Sequence, residues 1–320
     1  MNPVLNRDFP DPGVLRAPDG WFYAYATQSR LGETMINVQV ARSPDLVHWA
    51  YLGDALPQKP SWARSRRQFW APHVIYDRTE RRFFMYYSAE PDAGDGKCLA
   101  VAVAAEPAGP FTDSGAPLVC GDGIEHIDPM AFDDPKSGKR LLYWGSGSKP
   151  IKVQELAPDR VHFLPGSAPA DLVAPDPGRQ YRSLVEGAWV VLRNGRYFLF
   201  YSGDRCCTRD PRYAIMVARS RDAYGPFEEP DADADIVLGP NGSWLAPGHN
   251  SIVTDDEGND WILYHAIDAR RAAPQSSAPG RANSRLMMLD RIEYRDGWPR
   301  VAGGEPSATP RPAPVLKSPE

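Results

Sequence analysis

The chain has 320 residues, 42% of them hydrophobic and 24% charged, with a formal net charge of −5 at pH 7. That balance supplies a globular core and leaves no basic face for nucleic acid, so a nucleic-acid partner is not expected. No apolar run approaches the roughly 18 residues that cross a bilayer, so no membrane partner is expected either. The opening Met1-Asn2-Pro3-Val4 has neither the basic start nor the apolar stretch of a secretion signal, so the chain is expected to be cytoplasmic, or secreted with its signal already removed.

In chain order, an aromatic-rich segment recurs at residues 20–25, 82–87, 139–144, 195–201 and 260–265. The spacing is roughly 60 residues, in the range of repeat architectures. Most copies are followed by a segment alternating small and β-branched residues (36–41, 99–104, 213–218) and then by a turn and a short outer segment (43–49, 108–111, 224–227). Period-two alternation bounded by Gly, Pro and Asp predicts antiparallel strands, and no stretch keeps the 3.6 period of a helix. Five copies of about four strands each predict an all-β, five-bladed β-propeller in one domain over residues 1–302. A two-domain β-sandwich is the structural alternative. Strand 286–292 is expected to share a blade with the N-terminal segment and close the ring. Residues 303–320 are rich in Pro and Ser and are expected to be disordered.

Ahead of each aromatic segment stands another short apolar strand, the innermost of its blade. Overlaying these strands puts Asp11, Ala71, Asp128, Glu186 and His249 at one repeat position. Inner strands converge on the propeller axis, so these residues are expected to ring one mouth of the channel. A single Asp at such a place serves a turn. Three carboxylates there point to chemistry, because crowding them raises at least one pKa, and a raised carboxyl beside an ionised one runs acid and base chemistry at one pH. Facing carboxylates fit cleavage of a glycosidic bond, one protonating the leaving oxygen and another activating water. Metal-assisted hydrolysis is the competing use of such a set, with His249 the obvious further ligand. The four cysteines, Cys98, Cys120, Cys206 and Cys207, lack zinc-site spacing. The adjacent pair could form a vicinal disulfide, but reduced thiols are the expectation in a reducing compartment.

Several fragments, in this order, resemble glycoside hydrolase family 43, the propeller arabinanases, α-L-arabinofuranosidases and β-xylosidases. They are Asn2-Pro3-Val4-Leu5, Phe9-Pro10-Asp11-Pro12, Ser43-Pro44-Asp45-Leu46-Val47-His48-Trp49, Phe69-Trp70-Ala71-Pro72, Ile127-Asp128-Pro129, Val185-Glu186-Gly187, Pro247-Gly248-His249-Asn250-Ser251 and Asp296-Gly297-Trp298-Pro299. The resemblance implies Asp11 as general base, Glu186 as general acid and Asp128 as the carboxylate that tunes and orients the acid. It implies inversion, with base and acid roughly 6.5–9.5 Å apart. No cofactor is required for that chemistry; His249 matches a channel histidine that can stand beside a structural calcium ion. Trp70, Phe9 and His249 are expected to face the sugar, whereas Trp144 and His265 are expected to pack within blades and Arg64, Arg66 and Arg67 to form a solvated loop. The loop carrying Cys206-Cys207 is placed near the pocket rim.

The implied substrate is an α-L-arabinofuranosyl linkage of plant cell-wall arabinan or its oligosaccharides. The alternatives are a β-xylosidase of the same fold, a retaining fructan-type propeller and a non-catalytic carbohydrate-binding propeller. The chain has no room for the large C-terminal β-sandwich of many family β-xylosidases, which leans the reading toward the arabinan-active branch. Position 13 is Gly where the family often carries a hydroxyl residue.

Overall fold

Every aromatic segment becomes the second strand of an antiparallel sheet, and almost all of its side chains are buried. Phe22–Ala26 is buried at all five positions, and Arg82–Ala89 at all but the first. A strand buried on both faces has no reason to alternate polar with apolar residues, and large aromatic and β-branched side chains fill the space between neighbouring sheets best. The computed structural model describes residues 1–208, 210–230, 234–272 and 283–317.

Five such sheets follow one another along the chain, each running from an inner to an outer strand. Blade 1 is Gly13–Arg16, Phe22–Ala26, Gln39–Ser43 and Ala50–Asp54, with the hairpin Ser29–Leu31 and Thr34–Ile36 inserted between its second and third strands. Blade 2 is Trp70–Asp77, Arg82–Ala89 and Lys97–Ala104, whose outer edge pairs with both Thr112–Asp113 and Val119–Gly121. Blade 3 is Met130–Asp133, Arg140–Trp144, Ile151–Glu155 and Ala170–Val173. Blade 4 is Val185–Arg193, Arg196–Arg205, Arg212–Ser220 and Ile236–Leu238. Blade 5 is Trp244–Thr254, Asp260–Asp268, Leu286–Arg295 and Trp298–Val301. The chain is therefore the all-β, five-bladed propeller that its repeats predict. Among the described residues, helix is confined to the 3₁₀ turns Ser61–Ala63 and Ala302–Gly304, and no helix is long and apolar enough to cross a membrane.

The core lies between blades. Tyr25, Val40, Phe69, Met85 and Tyr87 pack together from blades 1 and 2, and Phe22, Leu263 and Met287 join blade 1 to blade 5. Tyrosine hydroxyls finish the contacts by reaching the neighbouring blade's periphery, as Tyr25 does to the Pro107 carbonyl at 2.5 Å and Tyr143 to the Ala223 carbonyl at 2.9 Å. The ring closes as expected at blade 5. The Val4 N–H donates to the Met287 carbonyl at 2.9 Å, and the Asn2 side chain takes the Leu289 N–H at 2.8 Å while donating to Asp290 at 2.9 Å.

Two expectations differ from what is found. Residues 303–317 run back over blade 5, where carboxylates of its third strand and of the turn between its first two strands capture their amides. Ser307 donates to Asp290, Val315 to Asp255 and Lys317 to Asp256. Composition hid this because the acceptors belong to the propeller. The cysteines are paired rather than reduced. Cys98 stands directly opposite Cys120 in blade 2 and forms a disulfide with it, and Cys206 is joined to Cys207.

Candidate active site

At or near the start of the inner strands of blades 1 to 4, and at a bulge midway along that of blade 5, the backbone enters the left-handed region, with φ of 57° at Asp11, 47° at Ala71, 61° at Asp128, 64° at Gly187 and 45° at His249. For a residue with a side chain this costs about 1–2 kcal/mol and persists where the surroundings hold it. A repeated hydrogen bond does so here. The ring residue's N–H donates to a side chain at the end of the preceding blade's second strand: Ala71 to Thr27 Oγ1 at 2.8 Å, Asp128 to Ser88 Oγ at 3.1 Å, His249 to Ser202 Oγ at 2.9 Å and Asp11 to His265 Nδ1 at 3.2 Å. Blade 4 breaks the pattern. The matching place in blade 3 is Gly145, which has no side chain to accept; the next residue, Ser146, donates to Glu186 Oε2 at 2.6 Å, and the Gly187 N–H goes to Asp128 Oδ2 at 2.9 Å.

The sequence overlay was therefore out of step by one residue in blade 4. Gly187, and not Glu186, is the counterpart of Asp11, Asp128 and His249. The pairing agrees, since Glu186 opposes Ser202 just as Trp70 opposes Ser88. Glycine takes the left-handed turn freely, and a Cβ at 187 would stand 3.3 Å from the His249 ring. Glu186 thus occupies the row of Pro10 and Trp70, both of which line the cavity described below. Gly13 also has a steric reason, because a Cβ there would meet the Pro72 carbonyl oxygen at 2.4 Å.

Asp11, Asp128, Glu186 and His249 come together, all buried or nearly so. His249 Nδ1 lies 3.7 Å from Asp11 Oδ1 and 3.6 Å from Asp128 Oδ2, so one nitrogen faces both carboxylates. Burial alone would raise the Asp11 carboxyl, but Arg285 Nη1 donates to its Oδ1 at 2.8 Å, Thr27 donates to its Oδ2 at 2.6 Å, and the imidazoles of His249 and His265 adjoin it; the balance, led by Arg285, holds Asp11 well below the usual carboxylate range. The other two acids go the opposite way. Burial, then the charges of Glu186 and Asp11, push Asp128 well above its ordinary value, with the Gly187 N–H the hydrogen bond that resists. Burial raises Glu186 too, opposed by donors from Ser146 and from the Tyr213 hydroxyl at 2.7 Å. The ring therefore holds one carboxylate kept ionised beside a closely coupled acid pair that retains a proton to higher pH. Burial brings His265 down to about 4, so the ring is neutral; its Nδ1 accepts the Asp11 N–H, and its Nε2 is buried with no partner among the described residues.

A cavity of about 240 Å³ adjoins Asp11 through Thr27 and Arg285. Trp70 lines it, with Lys97 Nζ 3.7 Å from its ring centroid on one face. The Cys206-Cys207 loop lines it as well. Phe9 does not: it is fully buried among Val14, Phe22 and Met287, so its expected role as a sugar wall gives way to core packing. Trp144 packs in blade 3 and His265 in blade 5 as expected, although His265 also serves Asp11. Arg66 ties to Glu90 and the Pro91 carbonyl, away from the cavity lining, and Arg64 and Arg67 are exposed. Tyr213, Arg285, Thr27 and Ser146 are site residues that sequence reasoning missed.

The donors beside His249 do not make a calcium cage. A calcium ion takes six to eight oxygen ligands. Here the nearest atom is an imidazole nitrogen, and the carboxylate oxygens it faces are held by Arg285 and Gly187. Among the described residues no group of three His, Cys, Asp or Glu side chains is arranged to hold a metal.

Known proteins share this arrangement of blades. The chain is 29% identical over 276 residues, 82% of its length and 75% of the other's, to the β-D-galactofuranosidase xynD of Aspergillus niger. It is 28% identical over 289 residues, 73% of its length and 70% of the other's, to the arabinan endo-1,5-α-L-arabinosidase B of Emericella nidulans. A crystal structure of a thermostable family-43 glycoside hydrolase superposes with a TM-score of 0.80 at 26% identity, covering 99% of both chains. The pattern of glycosyl hydrolases family 43 matches residues 1–299, blade 1 through the start of the last strand of blade 5, and the chain belongs to that family.

Proposed function

We propose that the protein is an inverting glycoside hydrolase that cleaves α-L-arabinofuranosyl linkages of plant arabinan or its oligosaccharides. Glu186 gives its proton to the glycosidic oxygen as the C–O bond breaks. Asp11 takes a proton from the water whose oxygen forms the new bond to the anomeric carbon from the opposite face. Asp128 shares a proton with Glu186, keeping the acid charged with hydrogen at the pH where Asp11 is already ionised. The observation that carries this reading is the opposed setting of the carboxylates: an arginine-paired Asp11 beside the buried, proton-retaining Asp128 and Glu186. Glu186 is favoured over Asp128 as donor because it stands in the row of Pro10 and Trp70, toward the cavity.

The arabinan assignment draws support from the similarity to the Emericella nidulans arabinosidase. The similarity to the Aspergillus niger enzyme favours a second reading, a β-D-galactofuranoside. The two disulfides favour secretion over a reducing cytoplasm. The test compares initial rates on linear arabinan and on the 4-nitrophenyl α-L-arabinofuranoside, β-D-galactofuranoside and β-D-xyloside, with Glu186→Gln as control. Preference for arabinan or the arabinoside, with arabinan cleavage lost in the variant, supports the assignment. Preference for the galactofuranoside or the xyloside replaces the sugar and leaves the mechanism standing. Turnover of arabinan undiminished by Glu186→Gln removes Glu186 from the mechanism.

A further inference from the structure

The geometry points to the Cys206-Cys207 disulfide as a substrate-contacting platform, an apolar wall against which the C–H face of the bound sugar ring lies. The inference rests on the glycosidase reading and adds a recognition element to the same site. The cavity next to Asp11 has two kinds of wall. Asp8, Thr27, Gln28 and Arg285 are polar and suit sugar hydroxyls, whereas Trp70 and the two sulfurs are apolar and suit ring carbons. Its volume, about 240 Å³, lies below the range of drug-sized sites and fits a small, closely contacted ring.

The disulfide is built into the site. Cys206 is half-buried and packs on the cluster of Tyr213, Ala246 and Ile267, while Cys207 is exposed. Tyr213 in turn holds Glu186. The platform is thus anchored on the residue that holds the proposed acid. Joined sulfurs carry no S–H donor, are polarisable, and match an apolar surface better than two thiols would. The covalent link also fixes both side chains before the sugar arrives, so little rotamer freedom is lost on binding. Two free cysteines would be mobile and partly hydrated in the same loop.

The test compares wild-type protein with the Cys206→Ser/Cys207→Ser variant on arabinotriose. A platform predicts KM raised about fivefold to tenfold with kcat within about twofold, the loss due to the apolar contact. The pH profile stays in place, since no catalytic proton is touched. An unchanged KM overturns the proposal. A fall in kcat at unchanged KM also overturns it, because the pair would then act solely as a prop for Tyr213.

Should the variant fail to fold, protein with the Cys206-Cys207 disulfide intact decides. Reduction with tris(2-carboxyethyl)phosphine is followed by alkylation and peptide mapping, with the Cys98–Cys120 bond as internal reference. Saturating glycoside should slow labelling of Cys206 and Cys207 about fivefold or more while leaving the reference unchanged. The probes are arabinotriose and the methyl glycosides of α-L-arabinofuranose, β-D-galactofuranose and β-D-xylose, applied to the Glu186→Gln protein. Protection by a sugar other than arabinose supports the platform and sinks the arabinan assignment. Absence of protection by any of these glycosides, including whichever one the wild type hydrolyses, sinks the platform alone.

Discussion

Tyr213→Phe removes one oxygen from the site and little else. The ring is 1% exposed, lies parallel to His265 with 1° between the planes, and approaches Gly248 so closely that a Cβ there would stand 2.0 Å from it. Phenylalanine keeps all of that packing. The hydroxyl donates to Glu186 Oε1 at 2.7 Å, and without it Ser146 remains as the donor to that carboxyl. A buried hydrogen bond to an ionised group is worth about 1.5–3 kcal/mol. It acts at full strength on the carboxylate left after proton transfer and weakly on the neutral acid, so its loss falls mainly on the transition state. At 1.36 kcal/mol per decade this predicts a fall in kcat of about tenfold to a hundredfold on arabinotriose. The leaving sugar of arabinotriose needs the proton; 4-nitrophenolate does not, so the aryl arabinofuranoside should lose no more than about threefold. The alkaline limb of the rate profile should also move to higher pH, because the hydroxyl stabilises the charged form of Glu186. Equal losses on both substrates, or a limb moving to lower pH, would refute the reasoning.

Asp11→Asn should cost about a thousandfold or more in kcat on every substrate, aryl glycosides included, because the attacking water must still lose its proton; steady-state rates on 4-nitrophenyl α-L-arabinofuranoside check this. Asp128→Asn replaces a carboxyl that the fold prefers protonated. Its folded-state pKa is raised, so the stability it confers is complete below the unfolded value and is lost as pH climbs through the folded one. Asparagine does not titrate, so the variant's urea midpoint should rise relative to wild type as pH increases above the ordinary carboxylate range. Thr27→Val removes the donor to Asp11 Oδ2 and strands the Ala71 N–H, costing about 2–4 kcal/mol in urea unfolding, and Thr27→Ser should restore most of it.

The blades were legible because their second strands are buried on both faces and so repeat as blocks of aromatic residues, at 22–26 and 197–201 for example. Asp11 and Asp128 were legible because the left-handed turn at the head of an inner strand falls on a residue with chemistry of its own. At Gly187 the same turn falls on a residue with none, and the overlay slid onto its acidic neighbour Glu186. The row of Thr27, Ser88, Ser202 and His265 is periodic and could have been found by extending that overlay past the aromatic segments, but blade 3 puts Gly145 in that row and Ser146 one residue beyond it. Tyr213 and Arg285 could not, since they reach the site from a third strand and from the loop before another, with no fixed spacing to any carboxylate. Phe9 was misread because closeness in sequence to Asp11 says nothing about which way an aromatic ring faces; it faces the seam between blades 1 and 5.

Which anomer leaves the site first tests the paired roles of Asp11 and Glu186 most directly. Arabinotriose mixed with wild-type protein and followed by proton NMR, within minutes of mixing and before mutarotation, should show β-arabinofuranose ahead of the α form, because the water held by Asp11 attacks the face opposite the leaving group that Glu186 protonates. The α form appearing first would mean that one of these carboxylates attacks carbon directly, contradicting the base role of Asp11, and an unchanged trisaccharide would contradict the arabinan assignment.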